Sequence, residues 1–193
     1  MKKDIILAGV GGQGILSIAA IIGYAAVETG LHLKQAEVHG MSQRGGDVQS
    51  HLRLSDKPIF SDLVPLGAAD LILAVEPLEA LRYWPYLNSD GWVVVNSTPF
   101  KNIPDYPETE SILAEIAKLP NHIIIDADKT AKELETPRSM NMVMLGAAIP
   151  FLGLDYEKLK AGTAFIFGRK GEKVVEMNLK AIAAGYEFSE NER

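Results

Sequence analysis

Six residues near the start of the chain, Gly9-Val10-Gly11-Gly12-Gln13-Gly14, restrict the fold more than any other stretch. They lie between two apolar runs, Ile5-Ile6-Leu7-Ala8 and Ile15-Leu16-Ser17-Ile18, an order that predicts strand, glycine turn and helix. Gly9, Gly11 and Gly14 match the spacing G-x-G-x-x-G, with Gly12 as an extra glycine. In such a turn one glycine permits positive φ. A second lets a phosphate approach bare backbone, and a third lets the helix pack closely on the strand. The first N–H groups of the helix then favour an anion. Gly9, Gly11, Gly12, Gln13 and Gly14 are therefore the candidate cofactor-binding turn. The same glycines also serve close strand–helix packing with no ligand at all, and the spacing alone does not separate the two readings.

The length of 193 residues suits one α/β domain spanning the whole chain, and 47% apolar residues supply a core. A net charge of −6 without a basic run argues against a nucleic-acid partner. There is no cysteine, which fits a reducing cytoplasm and excludes a cysteine-held iron–sulfur cluster or a cysteine nucleophile within this sequence. Residues 5–27 carry no charge, but the glycine turn interrupts them and residues 15–27 are too few to cross a bilayer, so a buried first helix is expected and no membrane partner. No cleavage-site pattern of a secretory signal follows the apolar stretch.

Periodicity predicts strands over residues 4–8, 33–38, 48–54, 70–75, 92–96 and 122–126. Helices are expected over 14–29, 78–83, 108–119, 127–134, 141–152 with a kink at Pro150, 156–167, and 172–185 before a charged tail. Ile59-Phe60 reads as a short partner strand, which would make residues 39–60 a hairpin-like insertion. The result is an α/β, Rossmann-like fold: a mostly parallel sheet with helices on both faces and a β insertion after strand two.

Ligands of such sheets lie beyond the carboxyl ends of the strands. Residues 9–14, 39–47, 76–77 and 96–99 reach that edge. Ser42, Gln43, Arg44, Gly45 and Gly46 form a candidate substrate or coenzyme loop, because an arginine fork beside exposed backbone suits a phosphate or carboxylate. Arg44 equally suits a loop-holding salt bridge or a contact with another subunit. Glu37 lies where an acidic residue reads ribose hydroxyls in a nicotinamide site, and also where a solvated strand-end carboxylate is unremarked. His39 and His51 lack a paired carboxylate at useful spacing and read as structural, and the four histidines have no metal-ligand spacing. Trp84 and Trp92 read as packing or interface residues, and Asn141 first as an N-cap, with a ligand role second. Neither a phosphate-binding G-K-[ST] ending nor a G-x-S-x-G elbow is present, and Asp90-Gly91 lacks the preceding glycine of a thiamine diphosphate motif.

Gly9 through Gly14, together with Glu37-Val38-His39-Gly40-Met41-Ser42-Gln43-Arg44-Gly45-Gly46, resemble the gamma-type domain of 2-oxoacid:ferredoxin oxidoreductases. The His-Gly-Met-Ser-Gln-Arg-Gly-Gly wording is most similar to the beta subunit of the indolepyruvate branch, whereas pyruvate-type members tend to carry Tyr-Gly-Pro-Glu before Arg-Gly-Gly. Asn141-Met142-Val143-Met144-Leu145-Gly146 and the stretch from Asn178 through Gly185-Tyr186 agree, so the resemblance covers nearly the whole chain.

The resemblance implies an enzyme subunit that is inactive alone. The complex would decarboxylate an aryl 2-oxo acid oxidatively, pass the acyl group to coenzyme A and deliver electrons to ferredoxin. Thiamine diphosphate and iron–sulfur clusters would belong to a large partner subunit, and this chain would close the active site and help bind coenzyme A or substrate. Its partner surface is expected around residues 39–60 and the apolar helices near Met142 and Phe151. A stand-alone NAD(P)-dependent dehydrogenase, an adenylating enzyme and a regulatory nucleotide binder are the rival readings of the glycine turn.

Overall fold

A computed structural model describes residues 1–40, 45–101 and 103–193. The chain runs β1 (Lys2–Val10), α1 (Ile15–Glu28), β2 (His32–His39), β3 (Asp47–Ser55), β4 (Ala69–Ala74), α2 (Pro77–Arg82), β5 (Leu87–Asn96), α3 (Thr109–Ile116), β6 (His122–Ile125), α4 (Ala127–Glu133), α5 (Met140–Leu152), α6 (Tyr156–Phe167) and α7 (Glu172–Glu192). The six strands form one sheet in the order β2-β3-β1-β4-β5-β6. β1, β4, β5 and β6 are parallel, while β3 runs antiparallel to both β1 and β2.

The insertion after strand two therefore enters the sheet instead of lying outside it. β3, not β2, is the neighbour of β1, with Ile5 opposite Leu52 and Leu7 opposite Ser50. Burial explains the choice. Val48, Leu52 and Leu54 of β3 are buried, whereas no residue of β2 is, so the polar strand takes the edge. Ile59-Phe60 forms no strand; Phe60 is almost wholly exposed.

Helices cover both faces unequally. On one, α1, α5 and α7 pack over Ile5, Leu7, Leu52, Leu71 and Val94. On the other, α2 and α3 cover Ile6, Ala8, Ile72 and Val95. α5 is buried almost all round, and α7 crosses it where Gly146 and Gly185 let the two backbones meet. Pro150 sits in the last turn of α5, and the helix continues to Leu152. Met142 is fully buried and Phe151 nearly so, stacked on Trp92 at 4.2 Å between ring centroids. They belong to the core, which corrects the expectation of a partner surface there. The charged tail is helical as far as Glu192, because Ser189 and the partly buried Phe188 still face the core.

β1 leads into α1 on one face and β4 into α2 on the other, so the switch point of the sheet lies between the carboxyl ends of these neighbouring parallel strands.

Candidate functional site

β1 continues through Gly9 and Val10, and the turn itself comprises residues 11–14. Gln13 holds it closed: its Oε1 accepts from the Val10 N–H at 2.9 Å and its Nε2 donates to the Val75 carbonyl at 3.3 Å. A side chain at Gly9 would collide with Val75, which directly follows β4, so this glycine serves strand packing. Gly14 caps α1 in the left-handed region, with φ +81°. Its carbonyl accepts from Asn141 Nδ2 at 3.1 Å. Asn141 thus lies inside α5, whose N-cap is Ser139, and ties that helix to the glycine turn; the N-cap reading is corrected.

The two glycine-rich loops meet. Gly11 N–H donates to the Gly46 carbonyl at 2.8 Å, and Gly45 N–H donates to the Gly11 carbonyl at 3.2 Å. Gly40 N–H closes the root of the second loop on the Asp47 carbonyl at 2.7 Å. Met41, Ser42, Gln43 and Arg44 lie outside the described residues. Gly12 and Gly14 keep N–H groups that no described residue accepts, whereas that of Gly11 is taken.

Two clefts flank the turn. The first, about 370 Å³, is lined by residues 10–12 and 14–17 with His39 and Val48. At its rim His39 pairs with Glu37, and Gln35 donates to Glu37 at 3.3 Å and to Ser50 at 3.1 Å. β3 stands between Glu37 and the glycine turn, one strand spacing of roughly 4.8 Å more than in a β1–β2 neighbour pair. Glu37 is thereby removed from the ribose-reading position. His51 is buried on the opposite face. Its Nδ1 accepts from the Val64 N–H at 3.0 Å and its ring meets Tyr86 edge-on. Burial, then the Arg53 charge, pushes the His51 pKa below the usual imidazole value.

The second cleft, about 440 Å³, opens at the switch point between Gly12-Gln13, residues 98–100 and residues 137–141, with Asp128 on its wall. Asn96, fully buried, holds Asp128 from behind that wall. Its Nδ2 donates to Asp128 Oδ2 at 2.8 Å and to the Val75 carbonyl at 3.3 Å, and its Oδ1 accepts from the Ala127 N–H at 3.1 Å. The Phe100 N–H donates to the buried Glu76 at 3.3 Å, and Tyr106 donates its hydroxyl to the same carboxylate oxygen. Arg138 is exposed and without a polar partner among the described residues. Sequence reasoning placed residues 96–99 at this edge without singling out Thr98, and missed Arg138 and Phe100, since their only local signal is a charged or aromatic residue beside a proline.

Below the second glycine loop lies an acidic cluster. Tyr83 donates its hydroxyl to Asp47 at 2.8–2.9 Å, and Arg82 donates to Glu79 at 2.7 Å. Burial raises the Glu79 pKa to about 7, with Asp47 adding to the rise and Arg82 opposing it. Among the described residues no cluster of His, Cys, Asp or Glu could hold a metal ion, and no helix is long and apolar enough to cross a membrane.

Residues 4–188 match the sequence family described as pyruvate ferredoxin/flavodoxin oxidoreductase. The indolepyruvate oxidoreductase subunit IorB of Archaeoglobus fulgidus is 36% identical over 195 residues, which cover 96% of this chain and 94% of the relative. A keto/oxoacid ferredoxin oxidoreductase gamma subunit from Geobacter sulfurreducens superposes with a TM-score of 0.70 at 26% identity, covering 98% and 99% of the two chains. The 2-oxoglutarate:ferredoxin oxidoreductase of Magnetococcus marinus, solved with 2-oxoglutarate, coenzyme A and succinyl-CoA bound, superposes with a TM-score of 0.80 at 25% identity. The match covers 98% of this chain but only 31% of that larger one.

Proposed function

The chain belongs to the pyruvate ferredoxin/flavodoxin oxidoreductase family as a subunit of a 2-oxoacid:ferredoxin oxidoreductase, and from that premise we propose that it serves a cytoplasmic enzyme acting on indolepyruvate or a related aryl 2-oxo acid. In this reading the whole chain, residues 1–193, is one gamma-type domain that completes the active site and helps bind coenzyme A or the oxo acid. The carrying observation is the pair of backbone hydrogen bonds joining the glycine turn to Gly45 and Gly46. They support a reading in which an anionic ligand lies at this sheet edge, against the amides of Gly12 and Gly14, which no described residue accepts, with Ser42, Gln43 and Arg44 assigned to it from the sequence.

The thiamine diphosphate supplies the decarboxylation chemistry and iron–sulfur clusters the electron path to ferredoxin, and both belong in this reading to a larger partner subunit, since the sequence has no cysteine. The task of this chain is orientation and charge neutralisation: backbone amides and the Arg44 fork hold the carboxylate or the coenzyme A phosphates while the partner's groups react. The aryl preference is supported by the wording of residues 39–46 and by the likeness to IorB.

Reconstitution tests this. With thiamine diphosphate, coenzyme A, indolepyruvate and an electron acceptor, the chain alone is expected to show no turnover, and the chain with its partner subunit full turnover. In the intact complex Arg44→Ala should lower kcat/KM for coenzyme A or oxo acid by roughly ten- to a hundred-fold, the worth of a charge-assisted hydrogen bond of about 1.5–3 kcal/mol, with Arg44→Lys also impaired. Unchanged kcat/KM for both substrates in Arg44→Ala would leave that residue as a loop or interface contact.

A further inference from the structure

Below the contact between the two glycine loops, two carboxyl groups meet, those of Asp47 and Glu79. We propose that they act as one carboxyl–carboxylate pair, which clamps Gly45-Gly46 onto the glycine turn while it holds a proton and releases that segment when the proton is lost, so that Glu79 is a positioning residue for an anion held at the turn.

Asp47 sits at the seam of the loops. It opens β3, follows Gly46 directly and stands opposite Val10 of β1. Its carbonyl accepts from the Gly40 N–H at 2.7 Å, and the Gly46 carbonyl one residue earlier accepts from the Gly11 N–H at 2.8 Å. Gly45 and Gly46 have no side chains to pack, so backbone bonds and the Asp47 side chain fix this segment. Val48 points into the core beneath α1, and alternation turns Asp47 to the α2 face. There the Tyr83 hydroxyl reaches both of its carboxylate oxygens.

Glu79 comes from α2 and is buried. Its N–H donates to Glu76 at 3.0 Å, Arg82 donates to its carboxylate at 2.7 and 3.3 Å, and it shares a hydrogen bond with the Asp47 side chain. Two carboxyl groups can hydrogen-bond to each other only if one carries the proton. The charged neighbours are committed elsewhere. Glu76 is held by the Phe100 N–H and the Tyr106 hydroxyl, and Arg53 pairs with Asp4. Burial keeps His51, farther along the same face of β3, toward its neutral form. Glu37 and His39 stand opposite Ser50 and Val48, on the other face of the sheet. Arg82 is thus the one cation facing the pair among the described residues.

With one proton, the single negative charge of the pair is matched by Arg82. Without it, two carboxylates confront each other at a buried site where water screens them weakly. Glu79 is fixed by Arg82 and by the Glu76 cap of α2. Asp47 ends its ladder beside two glycines, so the repulsion is relieved by moving Asp47, and the Gly46–Gly11 bond moves with it.

Amide exchange of the full chain, followed at Gly11 and corrected for intrinsic base catalysis, tests the clamp without any assumption about function. Burial, aided by Asp47 and opposed by Arg82, raises the Glu79 pKa from 4.5 to about 7, so the clamp is complete below the lower value and fades as pH rises through the upper. Gly11 protection should fall several-fold between roughly pH 6 and pH 8, with about ten-fold as the ceiling set by a full return of Glu79 to its ordinary value. Glu79→Gln keeps a donor toward Asp47 and should hold protection level over that range. Glu79→Ala should lower it at both pH values. Asp47→Asn, which removes the other charge, should also give a level profile and serves if Glu79→Gln does not fold. No fall in the parent, or an equal fall in Glu79→Gln or Asp47→Asn, overturns the proposal.

The consequence for catalysis rests on the preceding reading. In the assembled enzyme KM for coenzyme A or the oxo acid should rise over the same pH range while kcat holds, and Glu79→Gln should remove that rise. A purely structural Glu79 would lower the melting temperature and leave the shape of the pH profile unchanged. Failure of the Arg44 test with a surviving exchange effect would defeat the proposed function and leave the clamp standing. A pH-independent Gly11 amide with a positive Arg44 test would do the reverse.

Discussion

The two clefts beside the glycine turn share a wall and differ in almost everything else. The hairpin-side cleft is lined by residues 10–12 and 14–17, His39 and Val48, all from the first part of the chain, and its His39 is paired with Glu37. The switch-point cleft brings Asn141 against the glycine turn, bonded to Gly14 across 127 residues of sequence, and its Arg138 has no polar partner among the described residues. A local hairpin brings its own partners into register, so complementary charges meet. Walls supplied by separate helices and loops are positioned by core packing, and their polar ends can be left facing solvent or ligand. A free charge on a wall of the second kind is thus a stronger pointer to binding than a paired one on the first.

The sharpest way to break the comparison is to move one wall. α5 carries Asn141 and rests against α7, where a methyl on Gly185 would strike the backbone of Val143 and Ala147. Gly185→Ala should destabilise the chain by about 3 kcal/mol, read as a fall of roughly 6–12 °C in melting temperature. Melting within about 2 °C of the parent would mean that α7 can shift freely and that the second cleft is not held by packing.

Gly14→Ala strikes the shared wall. Positive φ and collision with the Asn141 amide combine there, for an expected loss of about 1–3 kcal/mol in denaturant unfolding. Adding Asn141→Ala removes the collision, so the double variant should recover part of the loss. Simple additivity would show that the two residues are not coupled.

The acidic cluster beneath the hairpin should make that side alone pH-sensitive. The Glu79 pKa is raised from 4.5 to about 7 in the folded chain, so its contribution is fully present below the unfolded value and is lost as pH rises through about 7. Asp47, Arg82 and Tyr83 face it and set the size of the effect. Stability should fall by about 1–3 kcal/mol between roughly pH 5 and pH 8, and Glu79→Gln should flatten that profile. An equal slope in both proteins would assign the effect to other groups.

The smallest effect belongs to His39→Asn. The pair with Glu37 is half exposed, and its loss should cost less than about 1 kcal/mol. A larger loss in thermal unfolding would show that this pair, and not the β-ladder, anchors the tip of β2.

Much of this architecture was legible in the residues. The strand–turn–helix at the glycines and the alternation of strands and helices follow from short-range sterics and periodicity. Other features were not. Charged residues 186–192 read as a tail, yet one buried serine and a partly buried phenylalanine keep them helical. Met142 and Phe151 read as surface for a partner, because apolar composition does not say which apolar face is covered.

The sequence by itself determined the turn at residues 11–14 and the polar character of β2, since glycine φ freedom and side-chain alternation act over a few residues. Only the tertiary structure decided that β3 would separate β2 from β1, and with it that Glu37 would stand a strand too far from the glycine turn. That order depends on competition among whole strands for the buried positions of one sheet. Arg138 reaches the switch point for the same kind of reason. Nothing near it in sequence specifies the contact; the packing of α5 under α7 and the Asn141 bond to Gly14 carry it there.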